Sequence, residues 1–159
     1  MMISMKYLLS LSTLIFLIAC NSKTVKNKST EASEVSIAVV FTSDYCGGAN
    51  PPDGILQALS VERPLTNSDL VIKSVETGDI QRATTDGEGT VKISLSTGKY
   101  ELFDPTKLTA EPASNDALLQ SQCIEWKKTP DAVFELTKDE QTIAVKIHKT
   151  CNPCEQSPN

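Results

Sequence analysis

Five cysteines and one histidine are the residues best placed to do chemistry in this 159-residue chain. Cys151-Asn-Pro-Cys154 has the CxxC spacing of thiol-exchange motifs, and His148 stands three residues before it. A CxxC pair exchanges thiols when its first cysteine opens a helix, because the helix dipole stabilises the thiolate. Here the motif follows a strand-like run, and residues 155–159 (Glu-Gln-Ser-Pro-Asn) carry no helical pattern. The same residues read as His148-x2-Cys151-x2-Cys154, a ligand-like spacing that Cys46 or Cys123 could complete to a tetrahedral set. A strong zinc signature has two such pairs, and this chain has one. His148 also falls on the face opposite Ile143, Val145 and Ile147, as a solvated residue would. The expectation is therefore no metal and no cofactor. A metal-handling or thiol-redox protein using His148, Cys151 and Cys154 is the alternative.

Other constellations are weaker. Serine, aspartate and a single histidine are present, but no nucleophile-elbow motif accompanies them, so a hydrolytic triad is not expected. Asp86-Gly-Glu-Gly89 offers two carboxylates, too few for a calcium loop, and reads as a turn. Trp126 and Tyr45 could stack on a ligand; with aromatics scarce, Trp126 reads first as a core filler. The chain as a whole is expected to be non-catalytic. Lys and Arg number 15 against 20 Asp and Glu, with only Arg63 and Arg82 as arginines. Such an acidic surface is a poor match for nucleic acid or anionic lipid.

The N-terminus supplies the clearest signal. Residues 1–6 hold one positive charge, and residues 7–18 form an apolar run relieved by Ser10, Ser12 and Thr13. This run is too short to span a bilayer and has the layout of a secretory signal. A chain starting at Met5 would give a tidier signal still. Leu17-Ile18-Ala19-Cys20 resembles the lipobox of bacterial lipoproteins at all four positions. The resemblance implies cleavage before Cys20, diacylglycerol on its sulfur, palmitate among the acyl chains, and attachment to a membrane through that lipid. Asn21 is not the aspartate that marks inner-membrane retention in enteric-type lipoproteins, so the outer membrane is expected in a Gram-negative cell. In an exported chain the even set Cys46, Cys123, Cys151 and Cys154 points to disulfides, with three possible pairings.

These residues must be positioned by whatever folds after the signal. Residues 1–19 are read as signal peptide and 20–34 as the lipidated cysteine with a flexible tether whose only sizeable apolar residue is Val25. Residues 35–154 form the domain and 155–159 a polar tail. Residues 35–41 are β-branched and apolar, as in a strand. Residues 44–54 are dense in turn formers, and 55–61 predict a short helix ended by Pro64. Strand patterns recur at 70–73 and 80–85. Val91, Ile93 and Leu95 alternate with Lys92, Ser94 and Ser96; after Thr97-Gly98, Tyr100 and Leu102 continue the apolar face, predicting a hairpin. Residues 104–121 predict a loop or a short helix near Ala117, and 123–126 a strand. Period-two alternation returns at 132–136 and 143–147.

Seven or eight short strands between Gly, Pro and Asp turns predict an all-β, antiparallel two-sheet sandwich. Pro64-Leu-Thr-Asn-Ser-Asp-Leu-Val-Ile, Thr85-Asp-Gly-Glu-Gly-Thr-Val-Lys-Ile and Thr97-Gly-Lys-Tyr-Glu-Leu resemble the carboxypeptidase-regulatory-like and transthyretin-like modules. That resemblance covers residues 35–103 well and the remainder loosely. It implies a Greek-key sandwich that binds a partner or spaces domains in the envelope. The implied partner is an envelope protein or glycan. The hydroxyisourate hydrolases of similar fold use histidine-rich sites, and a chain with His148 alone does not carry that activity over. The same architecture implies first and last strands lying parallel, with Cys46 near Cys151 and Cys154. Either bridge would close about 100 residues, and Cys123 would take the remaining cysteine.

Overall fold

The structure, a computed structural model, describes residues 31–155 apart from 49 and 140. The signal segment, Cys20 and most of the expected tether lie outside the described residues. Among the described residues, eight strands and three α-helices run in the order β1 (Ser33–Ser43), α1 (Ile55–Ser60), β2 (Arg63–Pro64), β3 (Asp69–Ser74), β4 (Ile80–Thr84), β5 (Thr90–Leu95), β6 (Gly98–Phe103), α2 (Thr106–Thr109), α3 (Ala117–Lys128), β7 (Ala132–Leu136) and β8 (Thr142–Lys149). A 3-10 turn, Pro153–Glu155, follows β8. The strands make two four-stranded sheets facing each other, an all-β sandwich.

β1 organises the first sheet. Its β-branched inward residues Val35, Ile37 and Val39 are fully buried. One edge pairs antiparallel with β5 along its first half and with β2 near its end. The other edge pairs in parallel with β8, from Ser36↔Thr142 to Ser43↔Lys149. The second sheet has the order β4-β3-β6-β7, antiparallel throughout. Val91, Leu95, Val145 and Ile147 meet Leu70, Ile72, Tyr100, Leu102 and Leu136 between the sheets. Tyr100 stacks on Phe134 at 5.5 Å. Asp86 shapes the turn into β5: its Oδ1 accepts from the N–H groups of Glu88 at 2.8 Å and Thr90 at 2.9 Å. Gly89 completes that turn at φ 79°, and a Cβ there would lie 2.9 Å from Pro64 Cβ and 3.0 Å from Val39 O. Only glycine meets both the conformation and the space.

Two sequence expectations need correction. Residues 91–102 are not a hairpin: β5 pairs with β1 in one sheet, while β6 pairs with β3 and β7 in the other. The chain crosses the sandwich at Thr97-Gly98. The inward set is nevertheless Val91, Ile93, Leu95, Tyr100 and Leu102, with Ile93 partly covered. Residues 123–126 are not a strand but the middle of α3. Asp116 caps that helix, its side chain accepting from the N–H groups of Leu118 and Leu119, while Lys127 and Lys128 sit in the last turn, where the dipole favours cations. Cys123 is the helix's single buried residue, so α3 shows little apolar periodicity. On the opposite face of β3 from Leu70 and Ile72, Val71 is buried as well. It pairs with Phe103, and both are buried on the outer face of the second sheet beside Leu108 of α2.

Candidate functional site: the cross-linked end of the sandwich

Because β1 and β8 run in the same direction, both reach the same end of the sandwich, and the segments following them meet there. Asp44 N–H donates to Lys149 O at 2.9 Å, carrying the parallel pairing one step past β1. Just beyond, Cys46 is bonded to Cys151, with Cα atoms 5.4 Å apart. Cys123 of α3 is bonded to Cys154, at a Cα separation of 4.7 Å. The two cysteines of the CxxC motif are thus bonded to distant partners and not to each other. Neither offers a thiolate for metal binding in this state, and no α-helix starts at Cys151. Asn152 fixes the turn between them: its Oδ1 accepts from Cys154 N–H at 3.0 Å and its Nδ2 donates to Glu155 at 2.9 Å. Cys154 O accepts from Ala113 N–H at 2.8 Å, which docks the segment before α3 onto the tail.

His148 stands on the outer face of the first sheet with its side chain 55 % exposed. It is the Cα partner of Thr42, so the two side chains share that face. Its Nε2 lies 2.9 Å from Asp44 Oδ1 and its Nδ1 2.9 Å from Thr42 Oγ1. A carboxylate only accepts, so Nε2 carries the hydrogen, and in the neutral ring Nδ1 accepts from the Thr42 hydroxyl. Sequence reading missed this row of hydroxyl, imidazole and carboxylate, because residues 42 and 44 become neighbours of 148 only through the parallel pairing. The order hydroxyl, imidazole, carboxylate is that of an acyl-transfer triad, but with the ring nitrogens exchanged, since there the hydroxyl meets Nε2 and the carboxylate Nδ1. Its hydroxyl, however, belongs to a residue only 9 % exposed, inside a strand whose backbone is committed to the ladder with β8. An open cavity of about 400 Å³ adjoins the row, walled by Tyr45 and by Leu56 and Leu59 of α1.

Trp126 is neither a filler of the main core nor an open stacking platform. Its ring lies under the Lys107 ammonium at 5.1 Å and its Nε1–H donates to Thr150 Oγ1 at 3.1 Å. Lys107 also pairs with Asp131 at 2.8 Å and donates to Thr129 O at 2.9 Å. Asp131 in turn accepts from Asp104 N–H at 2.6 Å. This buried network fixes α2, the end of α3 and the start of β7 to one another. Beside it, a second cavity of about 290 Å³ opens on Leu70, Leu102 and Ile147, with Asp104 and Lys149 at its rim.

Among the described residues, no helix is long and apolar enough to cross a membrane. No protein-family model matches the chain. No curated protein matches it either. A solved structure that resembles it in part is the Bacillus anthracis TIE protein, at 14 % identity and a TM-score of 0.36. The match covers 74 % of this chain but 17 % of that one, and a likeness at this level carries no inference about this chain.

Proposed function

We propose that this protein is a lipid-anchored module of the cell envelope that binds a partner or holds a structural place there, and does not catalyse a reaction. The observation that carries the reading is the pair of disulfides, Cys46–Cys151 and Cys123–Cys154. Cross-links of this kind persist in exported proteins and are rare where glutathione keeps thiols reduced. The apolar run at 7–18 and Leu17-Ile18-Ala19-Cys20 support export and lipidation at Cys20, with the acyl chains, palmitate among them, supplying a durable hold on the outer membrane of a Gram-negative cell. The two-sheet architecture suits a transthyretin-like or carboxypeptidase-regulatory-like module. Loops gathered at one end of a rigid sandwich are the usual place for recognition, and here that end is the cross-linked one. An envelope protein or glycan is the partner we favour, not nucleic acid. The alternative in which His148, Cys151 and Cys154 act together as a CxxC redox or metal site is disfavoured, because Cys151 and Cys154 are each bonded to a distant cysteine.

Cell fractionation of a Cys20→Ser variant tests the anchor. The variant is expected in the soluble envelope fraction or as an unprocessed precursor. A processed variant still in the membrane fraction would overturn the proposal.

A further inference from the structure

The two disulfides occupy opposite environments. Cys123 and Cys154 are 0 % and 1 % exposed, whereas Cys46 is exposed and Cys151 half-buried. They also tie different things. Cys123–Cys154 joins α3 to a tail that is further held by the Ala113–Cys154 backbone bond. Cys46–Cys151 ties the irregular segment 44–54, and the helix α1 after it, to the end of β8. α1 has no buried residue, and the bonds Ile55 N–H to Pro52 O and Ala58 N–H to Gly54 O are local to the segment. The cross-link is the covalent tie of this segment; after α1, Glu62 pairs with Lys146 of β8 and β2 pairs with β1.

We infer that Cys46–Cys151 is a thiol-exchange site, opened in the folded protein by a thioredoxin-like dithiol and closed by the reverse exchange with that partner's disulfide form, while Cys123–Cys154 stays bonded. Exchange needs a thiolate to reach a sulfur in line with the S–S bond. Cys46 is the more exposed of the two residues, and we assign its sulfur as the one attacked. The reductant's first thiolate attacks it, a mixed disulfide forms there, and Cys151 leaves as a thiolate that takes up a proton. The reductant's second thiol then attacks its own sulfur in the mixed disulfide, releasing Cys46 as a thiol. The protein gains two electrons and two protons, and the dithiol becomes a disulfide. The β1–β8 ladder and Cys123–Cys154 hold the sandwich through the cycle. What changes is the wall formed by Tyr45, Leu56 and Leu59 beside Thr42 and His148, freed when its tie opens. The inference rests on exposure and topology and is independent of the lipid anchor.

Graded dithiothreitol on the full-length mature protein, followed by alkylation and peptide mapping, tests it. Cys46 and Cys151 should label at least about tenfold faster than Cys123 and Cys154, since a core pair waits for a larger opening. The near-ultraviolet dichroism of the fold should survive the first step. Simultaneous opening of both pairs with loss of that signal, earlier opening of Cys123–Cys154, or resistance of both until unfolding would each overturn the proposal. A thioredoxin-like reductant whose second cysteine is serine should be trapped on Cys46. Trapping on Cys151, or no trapping, would overturn the assignment of the attacked sulfur.

Discussion

Lys107 Nζ lies 2.8 Å from Asp131 Oδ1, with the two side chains 4 % and 7 % exposed. The ammonium is compensated on three sides, by that carboxylate, by Thr129 O and by the Trp126 ring. Removing one partner of a buried ion pair strands the other charge and costs about 3–5 kcal/mol. Lys107→Met or Asp131→Asn should each destabilise by that order in urea unfolding. The double variant Lys107→Met with Asp131→Asn should recover much of the loss. An additive double variant would mean that the two side chains do not act as a pair.

The inward face of β5 can be tested by comparing three alanine variants. Leu95 is fully buried, Ile93 is partly covered, and Lys92 is exposed. Leu95→Ala should cost about 2–5 kcal/mol, Ile93→Ala less, and Lys92→Ala within about 0.5 kcal/mol of zero. Equal effects at 92 and 93 would put the faces in the wrong register, because a one-residue slip inverts them.

The disulfides close loops of different size, with sequence separations of 105 and 31. In the chain-entropy account the longer loop is worth about 5 kcal/mol and the shorter about 4 kcal/mol. Replacing Cys46 and Cys151 together by alanine should lower the melting temperature at least as much as replacing Cys123 and Cys154. A clearly larger fall for the Cys123 and Cys154 variant would contradict this ranking.

Asp86 gives the stability a pH dependence on the acid side. The N–H groups of Thr90 and Glu88 hold its carboxyl below the ordinary value of 3.8. The native state therefore favours the charged form more than the unfolded chain does. That contribution is complete above 3.8 and fades as pH falls through the lower folded value. Urea titrations across this window should show a smaller acid-side loss for Asp86→Asn than for the parent. An identical loss would remove Asp86 as a contributor.

Period two revealed which side chains of 91–102 point inward, because the inner faces of both sheets look into one core. It could not reveal that β5 and β6 belong to different sheets, since either arrangement produces the same alternation. The parallel neighbours β1 and β8 were legible only through architecture, as their pairing spans nearly the whole domain. A short helix near Ala117 was among the expectations, but the extent of α3 escaped because its single buried residue, Cys123, leaves no apolar stripe; Asp116 ahead of Ala117 and the lysines at 127 and 128 were the available signals. Lys107 reads in sequence as an ordinary solvated lysine. Only the fold brings Asp131 and Trp126 to it. For the same reason His148 was recognised as an outward residue, while its partners Thr42 and Asp44 were not.

The intact mass of the native protein, extracted from its own membrane without reductant, tests the central claim most directly. The account predicts residues 20–159 carrying lipid on Cys20, with a mass four hydrogens below the fully reduced form for the two disulfides. A chain that retains residues 1–19, or one that begins elsewhere without lipid and with four free thiols, would contradict it.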